Sequence, residues 1–506
     1  MLPSSIITSI LASDGYKFSM AEAGFPLRPE TFYGSHRRGG WQCVPLDIEK
    51  FILDRLPQPG PEMDDDIEWL DTHGYSLGAG VRAAARMADL VNVTAIPQGS
   101  WFFEREPIFS VTGPSILPSV MEPIVLQINR RIQIATCALL TPDKLAEMVE
   151  NASCEEEKQI TIETLESIGH PVPVITVREQ DYYNAVYKRA VDLVKRVGGD
   201  PNRIIEVGLR AASCMGQHLI ALRAIRDAGI MRTSNVYGAR TLDMIPIGTM
   251  GHEHIQRFGS SYPAFTAMRD RVPGFISYLP DTFTTLGEGV PAALRSMADV
   301  PGRDSAIRFD AEHAIESQYL STVAMAREKG LDPYYILESG WDDVKTDRFE
   351  VLRNVMGVPA SRQGYGYGNF LVKPPWPHFG RDTVAAVYKL CNSIVGRQKM
   401  GDEPGAAKES LPGDIVLWRP HISMNGYQGP CGYVAQRGEN WKPPVPATLL
   451  SGADVVPAAI RYTARDVFEF ANNPNIGPLA LSPETQRMRD ECYRQRADAI
   501  AEAALH

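Results

Sequence analysis

The sequence predicts an α/β protein, an irregular (β/α) barrel preceded by an α+β N-terminal domain. Three observations carry this. Between about residues 180 and 380, short apolar runs alternate with amphipathic segments of helical length, and a glycine stands just past the apolar stripe at Gly229 and Gly330. Repeated βα units of that length build a parallel sheet, and their number favours a barrel over an open sheet. In the same stretch two hydroxyl-rich turns, Thr233-Ser234-Asn235 and Gly248-Thr249, each adjoin a short apolar run. Barrel strands end in such small-residue turns around a common mouth. The first 145 residues instead mix short strands with helices.

Taken in order, residues 98–114 read as two strands around a polar turn, rich in aromatic and β-branched residues. Residues 120–140 read as one helix with Ile124, Ile128, Ile132 and Ala135 on a stripe. Residues 141–180 are polar and include Glu155-Glu156-Glu157-Lys158, so they read as a linker or insertion with a solvated face. Strand 204–209 leads into a helix bearing Met215, Leu219 and Leu222; strand 305–310 into one bearing Ile315, Tyr319, Leu320 and Val323; strand 334–339 into helix 343–356. Beyond 380 the chain is rich in proline and glycine, and 483–505 reads as a closing surface helix. The expected division is therefore 1–145, a linker or insertion at 146–180, a catalytic barrel at 181–385, and a C-terminal segment at 386–506.

Composition narrows the class. A chain of 506 residues with 44% hydrophobic and 22% charged residues suits a soluble enzyme of two or three domains. A net charge of −10 argues against a general nucleic-acid or anionic-membrane binder, so an anionic substrate needs a local basic pocket. Arg37-Arg38 and the 389–408 stretch offer one. The seven cysteines are scattered without a C-x-x-C pair, as expected of free thiols in a reducing cytoplasm. The N-terminus lacks the basic start and apolar core of a signal peptide, and no apolar run approaches the roughly 18 residues of a membrane span. The expectation is a cytoplasmic enzyme with no membrane segment.

The segment 229–258 concentrates the chemistry. Its second turn delivers His252 with Glu253 and His254 beside it. Such a histidine can cap the next helix, can be half of an H-x-H metal pair completed by His313 or His378 in a barrel hydrolase, or can accept a phosphoryl group. Residue type and spacing leave all three open.

The order of motifs along the chain is what distinguishes them. Thr233-Ser234-Asn235-Val236, Ala239-Arg240 and Pro246-Ile247-Gly248-Thr249-Met250-Gly251-His252-Glu253 closely resemble the nicotinate phosphoribosyltransferase family. Asp14-Gly15-Tyr16-Lys17-Phe18-Ser19-Met20 is similar to that family's D-x-Y-K-x-(T/S)-M, and Thr31-Phe32 with Arg37-Arg38 to its T-F-x-x-x-x-R. Glu206-Val207-Gly208-Leu209-Arg210 is similar to E-F-G-x-R, with Val207 in place of the ring-stacking phenylalanine. Asp281-Thr282-Phe283-Thr284 resembles D-T-Y-D with Thr284 at the second acidic position. Ile307-Arg308-Phe309-Asp310 resembles I-R-x-D but continues Ala311-Glu312-His313 instead of S-G-D or S-G-N. Gly364-Tyr365-Gly366-Tyr367-Gly368-Asn369 is similar to the glycine-rich F-G-V-G-T, where backbone N–H groups close around phosphate. Tyr388-Lys389-Leu390, Lys399 and Lys408-Glu409-Ser410-Leu411-Pro412-Gly413 resemble its Y-K-L and G-K-x-S-L-P-G elements.

The resemblance implies a phosphoribosyltransferase barrel core, with the C-terminal segment completing the N-terminal domain. It implies that His252 is transiently phosphorylated by ATP, with Glu253 and Asp281 as its catalytic neighbours. Tyr16, Arg210, Thr233, Ser234, Arg308 and Asp310 would contact substrate. Arg37, Arg38, Gly366, Gly368, Asn369, Lys399 and Lys408 would bind phosphate groups. It further implies Mg²⁺, with ligands unassigned, and a homodimer in which Tyr16 crosses to the neighbouring subunit's site. The substrates would be nicotinate and phosphoribosyl pyrophosphate. Related nicotinamide-using enzymes carry Asp at the Ser234 position; a hydroxyl there can donate to a carboxylate that an Asp would repel, favouring nicotinate. Use of nicotinamide and a metal-dependent barrel hydrolase built on His252 and His254 are the alternatives.

Overall fold

The computed structural model describes residues 8–311, 314–394, 409–420, 427–450 and 476–503. Strand Pro29–His36, buried at every position but the first, is the centre of the N-terminal sheet. It pairs antiparallel with Phe109–Pro114 on one side and with Ala386–Asn392, from far along the chain, on the other; Asn92–Ala95 lies outside Phe109–Pro114. Phe32 stacks on Tyr388 across that distant pairing, with ring centroids 5.2 Å apart. One apolar core runs continuously from Phe18 and Phe32 to Leu390, Leu417 and Val434, so the strands Ala386–Asn392, Ile415–Pro420 and Tyr433–Gln436 bury their surface together with the N-terminal elements. A buried Arg419–Glu106 ion pair crosses the same junction.

The second core is the α/β unit that the apolar alternation predicts. Seven parallel strands lie in the order Ile245–Pro246, Arg232–Thr233, Ile204–Glu206, Gln363–Tyr367, Tyr334–Leu337, Ser305–Phe309, Ile276–Tyr278. The sheet curls into a half-barrel, and side chains stitch its seam where ladder bonds stop. Thr249 Oγ1, just beyond the edge strand, lies 3.1 Å from Ser277 N, O and Oγ on the opposite edge.

Two local expectations are corrected. The stretch 120–140 is three helices, Ile116–Val120, Glu122–Leu126 and Ile128–Leu140. Pro123 has no N–H to continue the preceding turn, so the chain breaks there and restarts with proline in its first turn. The break points Glu122 into the barrel mouth. Residues 141–180 carry two helices, Pro142–Val149 and Glu155–Ser167. Glu157 lies under them and not on a solvated face: it pairs with buried Arg130 at 3.0 Å and accepts from Ser153 N–H at 2.6 Å.

Candidate active site

The strand ends and the N-terminal sheet enclose one cavity of about 1140 Å³. It reaches into the barrel because the bore is lightly filled: Gly366 faces Val207, Ile247 and Ile336 line the walls, and the cavity continues to Tyr334 and Phe275 at the far rim. A fully packed barrel would fill this space with side-chain layers.

His252 opens the helix His252–Phe258 at the mouth. Its Nε2 lies 3.2 Å from Asp310 Oδ2, and its Nδ1 3.1 Å from Thr282 Oγ1. A carboxylate only accepts, so Nε2 carries the proton in this arrangement and the Thr282 hydroxyl donates to Nδ1. Asp281 is buried, and one ligand atom each from His252, Asp281 and Asp310 lie within 4.8 Å of one another. Two carboxylates with one imidazole suit a divalent cation, and the oxygens suit Mg²⁺.

The turn before His252 is built on close approach. Gly248 has φ of +126°, and a Cβ there would lie 2.7 Å from Tyr16 N, so glycine is required on both counts. The approach arises because the N-terminal segment is sewn to the barrel: Gly15 N–H donates to Ser234 O at 2.8 Å, and Val236 N–H to Ser13 O at 3.1 Å. Tyr16 therefore lines its own chain's cavity, where its hydroxyl lies 3.2 Å from Glu122 Oε2.

Behind Tyr16 runs a buried charge chain. Lys17 Nζ contacts Glu122 at 2.7 Å and Glu253 at 2.9 Å, and Ser119 donates to Glu253 at 2.6 Å. Burial opposes charge on Lys17, but the two carboxylates outweigh it and raise the ammonium above its usual range. Burial likewise opposes charge on Glu122, yet Lys17 and Arg210 hold its carboxyl low. Glu253 thus anchors Lys17, whereas Thr282 and Asp310 contact the imidazole. Arg210 Nη1 lies 3.3 Å from Glu122, and its Nε 3.5 Å from Asp14. Arg308 donates to Met250 O at 2.6 Å, and its Nε lies 3.2 Å from Glu338. Burial pushes Glu338 up to about 7, helped by Asp310 and Asp281 against the pull of Arg308 and Arg210.

The cavity gathers Tyr16, Arg210, Ser234, Arg308 and Asp310 around His252 and Glu253. Arg37 and Arg38 line the side nearest the N-terminal sheet, and Gly366, Gly368 and Asn369 the opposite strand end. Thr233 and Asp281 are not on the wall. Thr233 donates to buried Glu206 at 2.5 Å and acts as a support. Glu206 also pairs with His218 Nε2 at 2.9 Å. The Ser234 hydroxyl donates to Asp14 Oδ1 at 2.7 Å. Lys399, Lys408 and His313 lie outside the described residues. His254 does not join His252: it is fully buried, its Nε2 lies 2.8 Å from Ala264 O, and burial lowers its pKa to about 3. His378 lies against Trp376 O, away from the wall. The H-x-H metal pair therefore does not assemble, because successive side chains of a helix diverge.

Sequence reasoning missed Asp14, Glu122, Glu338 and Arg381 as wall residues. Asp14 stands in the opening motif and was passed over for Tyr16. Glu122 was hidden inside what reads as an unbroken helix. Nothing in local pattern singles out Glu338 or Arg381.

The half-barrel thus carries a charged mouth at its strand ends. Neither a family model nor a curated protein matches the sequence. Among solved structures, the nicotinate phosphoribosyltransferase of Porphyromonas gingivalis is similar with a TM-score of 0.54 at 16% identity, covering 79% of this chain and 95% of that one. That of Vibrio cholerae is similar with a TM-score of 0.53 at 19% identity, covering 79% and 89%. The chain has the fold of the nicotinate phosphoribosyltransferases. Among the described residues, no helix is long and apolar enough to cross a membrane.

Proposed function

We propose that this chain is a nicotinate phosphoribosyltransferase acting in NAD biosynthesis, converting nicotinate and phosphoribosyl pyrophosphate to nicotinate mononucleotide and pyrophosphate. The observation that supports it most is the convergence of His252, Asp310 and Arg308 with Tyr16 and Arg210 in one cavity on this fold. As pyrophosphate leaves, the anomeric carbon becomes oxocarbenium-like, so rate comes from aligning the ring nitrogen and from neutralising the departing diphosphate. Tyr16 offers the pyridine an aromatic face, and Arg210 offers its substituent a guanidinium. Arg37, Arg38, Arg381 and Lys389 face the diphosphate.

Asp281 and Asp310 would hold Mg²⁺, which supplies charge neutralisation at phosphate oxygens. His252 is the phosphoryl acceptor in this reading, with ATP as co-substrate. Attack through Nε2 requires its proton to be lost and the ring to be protonated at Nδ1, and Thr282 Oγ1 can accept from that nitrogen. A cytoplasmic homodimer belongs to the same reading. The test is pyrophosphate release from nicotinate and phosphoribosyl pyrophosphate with Mg²⁺, with and without ATP. No release with either pyridine would overturn it.

A further inference from the structure

Nicotinate selectivity, in the simplest reading, rests on a serine hydroxyl free to donate to a carboxylate. Here that hydroxyl is spent on Asp14 Oδ1 at 2.7 Å. Asp14 is itself on the cavity wall and 2% exposed, and its Oδ2 receives no hydrogen bond among the described residues. The nearest cation to that oxygen is Arg210 Nε at 3.5 Å, beyond hydrogen-bond reach. Resting on the function proposed above, we propose that Asp14 reads the pyridine's 3-substituent: protonated, its Oδ2–H donates to the carboxylate of nicotinate; ionised, the same oxygen accepts from the amide of nicotinamide.

The charges around the site make proton uptake the favourable response to nicotinate. Arg210, from the turn Leu209–Ala211, already faces Asp14 and, through Nη1, Glu122 of the helix Glu122–Leu126. A substrate carboxylate would be the third anion on one guanidinium. Lys17, three residues on from Asp14, cannot turn to help, because Glu122 and Glu253 hold it at 2.7 and 2.9 Å. Ser234, on the turn after Arg232–Thr233, gives its one proton to Oδ1. Tyr16 and Tyr75 complete the surroundings and bring no positive charge. The oxygen without a donor is therefore where a proton relieves the crowding. Burial acts in the same direction, holding the Asp14 carboxyl above its ordinary range against Arg210 and Ser234. The step is a simple uptake: one proton passes from solvent to Asp14 Oδ2 as nicotinate binds, and returns when the product leaves.

The test is calorimetric titration of nicotinate into the intact protein in two buffers of different ionisation enthalpy, with pyrophosphate-release profiles for nicotinate and nicotinamide from pH 5.5 to 8.5. The expected result is uptake of about one proton per nicotinate at the alkaline end, with kcat/KM for nicotinate falling by about tenfold per pH unit there relative to nicotinamide. The ratio between the two pyridines cancels titrations at the shared diphosphate site. Asp14→Asn, whose amide donates at every pH, should flatten that ratio and abolish the uptake. Ser234→Ala removes the donor that favours ionised Asp14, so its midpoint should move to higher pH; this second variant decides the matter if Asp14→Asn does not fold. Turnover of nicotinate without proton uptake, or an unchanged ratio in Asp14→Asn, or an unmoved midpoint in Ser234→Ala, overturns the role of Asp14 while leaving the proposed function standing. No binding and no release with either pyridine overturns both.

Discussion

Gly368→Val separates the phosphate-binding role of the glycine turn from a role in folding. A Cβ built on Gly368 meets nothing closer than Val207 O at 3.5 Å, an ordinary contact, and its φ of −97° is negative. The space therefore admits the side chain, while ψ of −115° lies outside the regions a β-branched residue prefers, so Tm should fall by a modest amount that the melt reads separately. The loss falls on whatever lies in the cavity. Blocking one backbone N–H from a charged phosphate oxygen costs about 1.5–3 kcal/mol, or roughly 10–150-fold in donor affinity. Pyrophosphate release against phosphoribosyl pyrophosphate concentration, beside a thermal melt, reads both. A donor KM within about twofold of wild type would refute the reasoning. Gly366→Ala is the contrast: its Cβ would lie 2.8 Å from Glu338 Oε2 and 3.0 Å from Glu338 Cβ, so Tm and turnover should fall together as Glu338 is pushed off Arg308.

Three further outcomes are expected. With γ-labelled ATP, His252 should take up acid-labile, alkali-stable label, and His252→Ala should lose label and ATP hydrolysis but keep slow ribosyl transfer. His254→Ala should keep the label and lose about 1–3 kcal/mol of stability, because it leaves Ala264 O without its 2.8 Å donor; equal inactivity of the two variants would sink the phosphotransfer reading. Ser234→Asp sets a carboxylate beside Asp14 and should cost nicotinate on the order of tenfold more kcat/KM than nicotinamide; an unchanged preference would place the pyridine elsewhere. Burial, with Arg37 adding to it, lowers Lys389 to about 7. A lowered lysine pKa means the charge is present below pH 7 and lost above it, so donor KM should rise between pH 6.5 and 8, and Lys389→Met should flatten that rise.

The alternation of apolar runs with helical stripes was enough to read the parallel sheet, because strands buried on both faces and helices with one wet face write different periods. Ile204–Glu206, Ser305–Phe309 and Tyr334–Leu337 all start where the runs start. What local pattern could not show was anything decided by distant packing. The break at Pro123 matters only because Glu122 then meets Lys17, 105 residues earlier, and Arg210, 88 residues later. The partner of Ser234 could not be read for the same reason: whether its hydroxyl serves the substrate or Asp14 depends on a strand-like bridge between Asp14 and Asn235, 221 positions apart. The acidic net charge pointed to a local basic pocket, with Arg37 and Lys389 among its candidates; only folding adds Arg381 to that patch.

That patch and its opposite explain why this mouth suits a metal diphosphate. On the sheet side, Lys389 is crowded by Arg37, Arg210 and Arg381 with Glu122 as its compensating acid, and the ammonium is brought close to neutrality. On the barrel side, burial brings the Glu338 carboxyl to about 7, with Asp310 and Asp281 adding to it against the pull of Arg308 and Arg210. In each cluster burial and like charge together outweigh the counter-ions. An anion would restore full charge to the first, and a divalent cation at Asp281 and Asp310 would do so to the second. A magnesium diphosphate carries both signs in one ligand, so its binding should relax both clusters at once. The expected signature is coupling: Mg²⁺ should tighten donor binding by more in wild type than in Lys389→Met. Equal tightening in the two proteins would show that the clusters act separately.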